Sequence, residues 1–204
     1  MAVFITFEGC EGVGKSTQIN LLKEYLISSG QKAIFTREPG GTPFAEKIRK
    51  SILGEQMSAE SEALLFAAAR CDHIDNLILP ALKRGENVIC DRYIDSSLAY
   101  QAYARGLGEK TVRELNFYAE KNCKPDAVIF LDMNPLDSFR KRLGEVIEND
   151  RMEAESDAFH LKVYEGYKIL SAKDEKYIVV KPDDDMFVTA SIIREALKSR
   201  GLIN

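Results

Sequence analysis

No two cysteines in this chain are spaced for a redox or metal motif. The four, Cys10, Cys71, Cys90 and Cys123, are scattered, with no CxxC pair and no ladder of short spacings, so the sequence offers no disulfide framework and points to reduced thiols. Long apolar runs are also missing. None approaches the roughly 20 residues needed to cross a bilayer, and no membrane partner is expected. Nor is there a basic excess: 28 Lys and Arg stand against 32 Asp and Glu, a formal charge of -4 with a pI near 5.4. That balance disfavours a nucleic-acid polymer as the main partner, while a small anion can still be held where positive charge is concentrated. Repeats and low-complexity linkers are absent, and Met1 leads into a strand-like run rather than a signal-like segment. The expected location is cytoplasmic.

What is present is a chain of 204 residues, 45% hydrophobic and 29% charged, long enough to bury a substantial core as one domain, 1–204. Val3 to Phe7 is apolar without alternation, as in a strand buried on both faces. Similar runs recur at 32–36, 87–90, 127–131 and 177–180. Between them, helical spacing of apolar residues marks 15–29, 44–53, 60–83 with a break near Pro80, 94–105, 111–121, 136–148, 158–172 and 186–200. Alternation of this kind predicts an α/β fold, a five-stranded, mainly parallel sheet flanked by helices. One stretch, GEVIENDRMEAESD (144–157), is charged and poor in large apolar residues, the composition of an exposed, mobile loop.

GCEGVGKS (9–16) carries the strongest signal. Gly9, Gly14, Lys15 and Ser16 satisfy G-x-x-x-x-G-K-[ST], between a strand and a helix as the motif requires. Such a loop wraps phosphates in backbone N–H groups, its lysine reaches the outer phosphates and its hydroxyl holds Mg²⁺. The backbone of Cys10, Glu11, Gly12, Val13 and Thr17 belongs to the same cradle, at a helix N-terminus. VICDRY (88–93) places Asp91 at a strand end, suited to Mg²⁺ or to capping the next helix.

The guanine-reading N-K-x-D of a GTPase switch has only one imitation, NCKPD (122–126), which has the wrong spacing and precedes its strand. Phosphoryl transfer would instead need a second phosphate pocket with cations between donor and acceptor. Arg37, Arg49, Arg70 and Arg92 are candidates, with Arg37 and Arg92 just past strand ends, where α/β proteins bind ligands. A kinase for another pyrimidine monophosphate and a nucleotide-binding regulator stay open at this point.

FEGCEGVGKST (7–17), TREPGGT (36–42), LLFAAAR (64–70), DRYIDSSLAYQ (91–101) and PDAVIFLD (125–132) occur in this order, and the chain resembles the bacterial thymidylate kinases, P-loop nucleoside monophosphate kinases. The resemblance implies the P-loop NTP hydrolase fold with a mobile lid at about 143–157. It further implies phosphorylation of dTMP to dTDP by ATP with Mg²⁺, on the route to dTTP, and a homodimer. It gives Glu11 the sugar 3′-hydroxyl, Phe66 the thymine face, Arg70 its carbonyl, and Ser97, Tyr100 and Gln101 the base and deoxyribose. Tyr100 would exclude a 2′-hydroxyl. Arg37 and Arg92 would grip the acceptor phosphate, and Asp91 with Ser16 would hold Mg²⁺.

No side-chain base is required, because a phosphomonoester with a second pKa near 6 is already mostly dianionic at neutral pH. His73 and His160 are therefore expected on helix surfaces or in the core. Catalysis would rest on Lys15, Arg92, Arg37 and a lid arginine. Here the chain departs from the family: Gly12 agrees with the bacterial type, but 143–150 contains no Lys or Arg. The basic residues nearby are Arg140, Lys141, Arg142 and Arg151, of which Arg151 is expected at the transition-state charge and Arg142 on adenine. The loop KPDDDM (181–186) is more acidic than the family's adenine-side loop.

Overall fold

The computed structural model describes residues 2–141, 151–152 and 154–204. Five strands, β1 (Phe4–Glu8), β2 (Ala33–Arg37), β3 (Asn87–Asp91), β4 (Ala127–Leu131) and β5 (Tyr177–Val180), form one sheet in the order β2-β3-β1-β4-β5. Every pairing is parallel. The central strands β1 and β4 are buried along their whole length, which is why they read as unbroken apolar runs. Edge positions differ: β2 is only half-buried, and Val179 on β5 is exposed.

Around the sheet lie α1 (Lys15–Ser28), α2 (Pro43–Gly54), α3 (Ala59–His73), α4 (Leu79–Lys83), α5 (Ile94–Ser97), α6 (Glu109–Leu115), α7 (Phe117–Asn122), α8 (Pro135–Lys141), α9 (Asp157–Ser171) and α10 (Met186–Ser199). On α1, Ile19, Leu22 and Leu26 form the buried stripe, whereas Ile27 points to solvent. Side-chain caps start several helices: Thr42 accepts from the Ala45 N–H at 3.1 Å and Ser58 from Ser61 at 3.2 Å. Each such cap satisfies a donor that the first helical turn leaves open.

Two helices predicted as continuous, and one predicted to break near Pro80, differ from that expectation. The stretch 60–83 runs through Pro80, with a π-helical segment at Ile74–Ile78 between α3 and α4. Pro80 falls in the first turn of α4, where a missing N–H costs least. The stretch 94–105 begins as α5 and becomes a π-helix over Leu98–Ala104, closed by the Arg105 N–H on the Tyr100 carbonyl at 2.9 Å. The stretch 111–121 breaks at Asn116, which ends α6 and precedes α7. Its buried side chain is engaged by Arg70. Past Lys141, the helix expected over 136–148 lies outside the described residues.

Candidate active site

Parallel register brings the motifs together. Phe7 pairs with Asp91 and Arg37 also pairs with Asp91, so the C-terminal ends of β1, β2 and β3 lie side by side. Above them is a cavity of about 550 Å³, lined by the phosphate loop at one end and by α3 and the Leu98–Ala104 π-helix at the other. Leaving β1, the chain needs φ 141° at Gly9. A Cβ there would come within 3.0 Å of the Leu131 carbonyl oxygen, so only glycine fits. Gly14, at φ 93°, starts α1, whose first turn carries no acidic residue and presents its N–H groups to an anion.

Lys15 is buried, with its ammonium on the carbonyls of Gly9 (3.1 Å) and Cys10 (2.8 Å). Burial, and then the nearby Arg92 charge, lower its pKa. Cys10 and Val13 bury their side chains and offer only backbone to a ligand, and burial pushes the Cys10 thiol up to about 12. Glu11, Gly12, Gly14, Ser16 and Thr17 line the cavity.

Beside the loop, Asp91 and Arg92 occupy the end of β3. The Oδ1 of Asp91 is buried with no hydrogen-bond partner among the described residues, on the same cavity wall as Ser16. A hard, uncommitted carboxylate oxygen near a hydroxyl and a phosphate cradle fits Mg²⁺, which takes one or two protein oxygens and completes its shell with phosphate and water. Groups of three or more His, Cys, Asp or Glu able to hold a metal do not occur among the described residues.

Arg92 has φ 69°, the one positive value outside glycine among the described residues. Its Nη1 donates to the Gly9 carbonyl (3.0 Å), Ser96 Oγ (3.1 Å) and the Tyr167 hydroxyl (3.1 Å), and its Nη2 to Glu11 at 2.6 Å. Of the five N–H bonds of a guanidinium, Nε–H and one on Nη2 stay available in this arrangement. Although burial pushes the Glu11 carboxyl up, Arg92, Lys15 and the Tyr100 hydroxyl (3.1 Å) outweigh it and hold the pKa at about 2. A carboxylate thus remains charged inside the phosphate loop.

At the far end, Phe66 is half-buried on the wall rather than sunk in the core. Arg70 is almost fully buried and spends four of its five N–H bonds on protein. Its Nε–H meets Glu38 at 2.7 Å, Nη1 meets Ser97 Oγ at 3.0 Å and Asn116 Oδ1 at 2.5 Å, and Nη2 meets the Tyr93 carbonyl at 3.0 Å. One donor is left. The hydroxyl of Ser97 is therefore tied to Arg70. Gln101 gives its Nε2 to Glu62 at 2.9 Å, and its Oε1 is buried without a partner among the described residues. Because the ionised Glu62 can only accept, the amide must face its oxygen the other way. One donor and one acceptor are thus uncommitted at this end.

Arg37 and Arg49 reach the cavity too. Arg37 is half-exposed and paired with Glu46 at 3.1 Å, and Arg49 donates to the Pro39 carbonyl at 2.9 Å. Arg151 is not gathered with them. Its Nε donates to the Ile52 carbonyl at 2.9 Å, and it pairs with Glu62 at 2.8 Å. Met152 beside it is buried on the cavity wall, so these two residues of the charged 144–157 stretch pack against the fold, whereas Ala154, Ser156 and Asp157 stand exposed. Arg142 and the rest of the stretch up to residue 150 lie outside the described residues. His73 and His160 are both buried. His73 bridges Thr36 (2.7 Å) and Glu38 (2.9 Å).

Several residues escaped sequence reasoning. Glu38 and Pro39 sit inside TREPGGT and could have been found as its unexplained members. Ser96 is one helical turn beyond Arg92, and Glu8 is a charge closing an apolar strand. Tyr167, from α9, had no local signal at all.

A parallel sheet of this order, with a strand, a glycine loop and a helix enclosing a buried lysine, defines a P-loop protein with the nucleoside triphosphate hydrolase fold. Comparison with known proteins narrows the class. The family model described as thymidylate kinase matches residues 7–192. The thymidylate kinase of Finegoldia magna is 42% identical over 204 residues, covering 98% of this chain and 100% of that protein. Those of Geobacter sp. (strain M21), 41% identical over 98% of this chain and 93% of its own length, and Staphylococcus haemolyticus, 44% identical over 97% and 100%, are similar throughout. The chain belongs to the thymidylate kinase family.

Proposed function

We propose that the protein transfers the γ-phosphoryl group of ATP to dTMP, yielding ADP and dTDP, a step toward dTTP. The observation that carries this reading is the continuous cavity joining a phosphate loop to a pocket with one free donor and one free acceptor. Thymine presents the complementary pair, a ring N–H and a carbonyl. In this reading Gln101 Oε1 accepts the ring N–H, Arg70 donates its remaining N–H to the carbonyl, and Phe66 covers the ring face. Glu11 accepts the 3′-hydroxyl, and Tyr100, bonded to Glu11 and lying against Arg92, fills the space a 2′-hydroxyl would need.

Arg92 takes the acceptor phosphate with its two free N–H bonds, and Arg37 and Arg49 add positive charge at the cavity wall. Lys15 exchanges the carbonyls of Gly9 and Cys10 for the donor phosphates. The acceptor oxygen is already ionised near neutral pH, so these cations stabilise charge and align the partners rather than move protons. Ser16 and Asp91 would hold Mg²⁺, which when bound supplies charge neutralisation between the phosphates.

A role for Arg151 at the transition state requires it to leave Glu62 and the Ile52 carbonyl, and we assign it that role only in a closed form of the 143–157 lid, with Arg142 on adenine. Assembly as a homodimer and a cytoplasmic location are proposed with this function. No helix among the described residues is long and apolar enough to cross a membrane.

The test is ADP release from ATP and Mg²⁺ with dTMP, dUMP, UMP, CMP and GMP compared as acceptors. We expect strong preference for dTMP over UMP. Absence of acceptor-dependent release would overturn the reading in favour of a nucleotide-binding regulator.

A further inference from the structure

Glu8 is the last residue of β1 and has no exposed surface. Burying a carboxylate costs several kcal/mol unless hydrogen bonds repay it, and among the described residues no Lys or Arg pairs with it. Its partners are all neutral. Oε1 accepts the Tyr93 N–H at 2.8 Å, and Oε2 accepts the hydroxyls of Ser96 at 2.6 Å and Tyr167 at 2.9 Å. Each of the three bears on Arg92. Tyr93 N–H is the amide directly after the positive-φ residue, so Oε1 pins a backbone that an L-residue adopts at a cost. Ser96 and Tyr167 are the two hydroxyls that accept from Arg92 Nη1, both at 3.1 Å.

Direction matters in this arrangement. When ionised, Glu8 only accepts, so the Ser96 and Tyr167 hydrogens can turn toward it, leaving their lone pairs for the guanidinium. We propose that Glu8 is a positioning residue that aims Arg92 at the acceptor phosphate through Ser96 and Tyr167. The inference rests on the function proposed for Arg92 above. Glutamine, with the same shape, cannot replace Glu8. Its NH₂ must face either the Tyr93 N–H, donor against donor, or the two hydroxyls, which stand 2.8 Å apart, so that one hydrogen can pass to the neighbouring hydroxyl while the other is left turned toward Arg92.

The experiment measures dTMP and non-hydrolysable ATP analogue binding by calorimetry, with steady-state turnover, for Glu8→Gln, Tyr167→Phe and Arg92→Ala. Glu8→Gln should weaken dTMP binding and turnover by about tenfold or more, with the ATP analogue bound as before. Tyr167→Phe should move the same quantities in the same direction by less. Adding Glu8→Gln to Arg92→Ala should cost little further, because the two act as one unit.

Wild-type dTMP binding and turnover in Glu8→Gln would overturn the proposal. So would parallel loss of both ligands together with the melting temperature, the result of a purely structural role. Should Glu8→Gln fail to fold, Tyr167→Phe decides, and unchanged dTMP binding there overturns the proposal. If Arg92→Ala itself leaves dTMP binding intact, the assignment of Arg92 falls and this inference with it. Loss in Arg92→Ala without loss in Glu8→Gln or Tyr167→Phe would sink the positioning role alone.

Discussion

The two ends of the cavity are built on opposite plans. At the base end, Arg70 and Glu38 form an ion pair at 2.7 Å with side chains 1% and 3% exposed, and His73, Ser97, Asn116 and the Tyr93 carbonyl take up nearly every remaining hydrogen bond. At the phosphate end, Lys15 rests on carbonyls of its own loop, and among the described residues Asp91 has an orphaned oxygen and Arg92 retains two N–H bonds. One end is largely satisfied by protein before a ligand arrives, with only an Arg70 N–H and Gln101 Oε1 left over among the described residues, and its polar groups double as structure. The other holds charge in reserve, where incoming phosphates and their cation would complete it.

The sharpest way to break this contrast is to cut one arginine contact at each end. Arg92→Ala should lower acceptor turnover by about 10³-fold, the order seen for a single arginine at a phosphoryl group in transfer, with ATP binding retained, and should also lower the melting temperature because Glu11 loses its ion-pair partner. Equal loss of ATP and dTMP binding in titrations would mean that donor and acceptor pockets are not separable here. At the base end, Glu38→Ala should cost about 3 kcal/mol of folding stability, because it strands the buried Arg70 guanidinium. Denaturant unfolding reads this directly, and a stable variant with weakened dTMP binding alone would mean that the network is not structural.

A smaller effect separates two carboxylates three positions apart. Glu8 is pushed up to about 7, first by burial and then by Asp95, whereas Glu11 is held at about 2. Relative to an unfolded carboxyl near 4.5, Glu8 contributes stability that is full below that value and lost as pH rises through about 7. The contribution of Glu11 is full above about 4.5 and lost as pH falls through about 2. Melting temperature followed against pH should therefore flatten on the neutral side in Glu8→Gln and on the acid side in Glu11→Gln. The same slope in both variants would show that the two sites do not differ.

Much of this protein was decided within short segments of chain. The buried strands announced themselves as unalternated apolar runs, and the phosphate loop by glycines at Gly9 and Gly14 whose backbone angles other residues resist. The alternation of strand and helix fixed a parallel sheet. Helix uniformity was not legible, because the π-helix at Leu98–Ala104 and the break at Asn116 exist to serve contacts with distant residues, and periodicity senses only neighbours.

The order of the strands and what meets at their ends came from tertiary structure alone. Arg70 reads as an ordinary helix arginine until Glu38, Ser97 and Asn116 close on it from three other parts of the fold. Glu8 finds its purpose in a serine 88 positions away and a tyrosine 159 positions away. Local sequence sets the backbone because sterics and hydrogen bonding act over a few residues. A buried charge is settled only by the polar groups that packing brings to it.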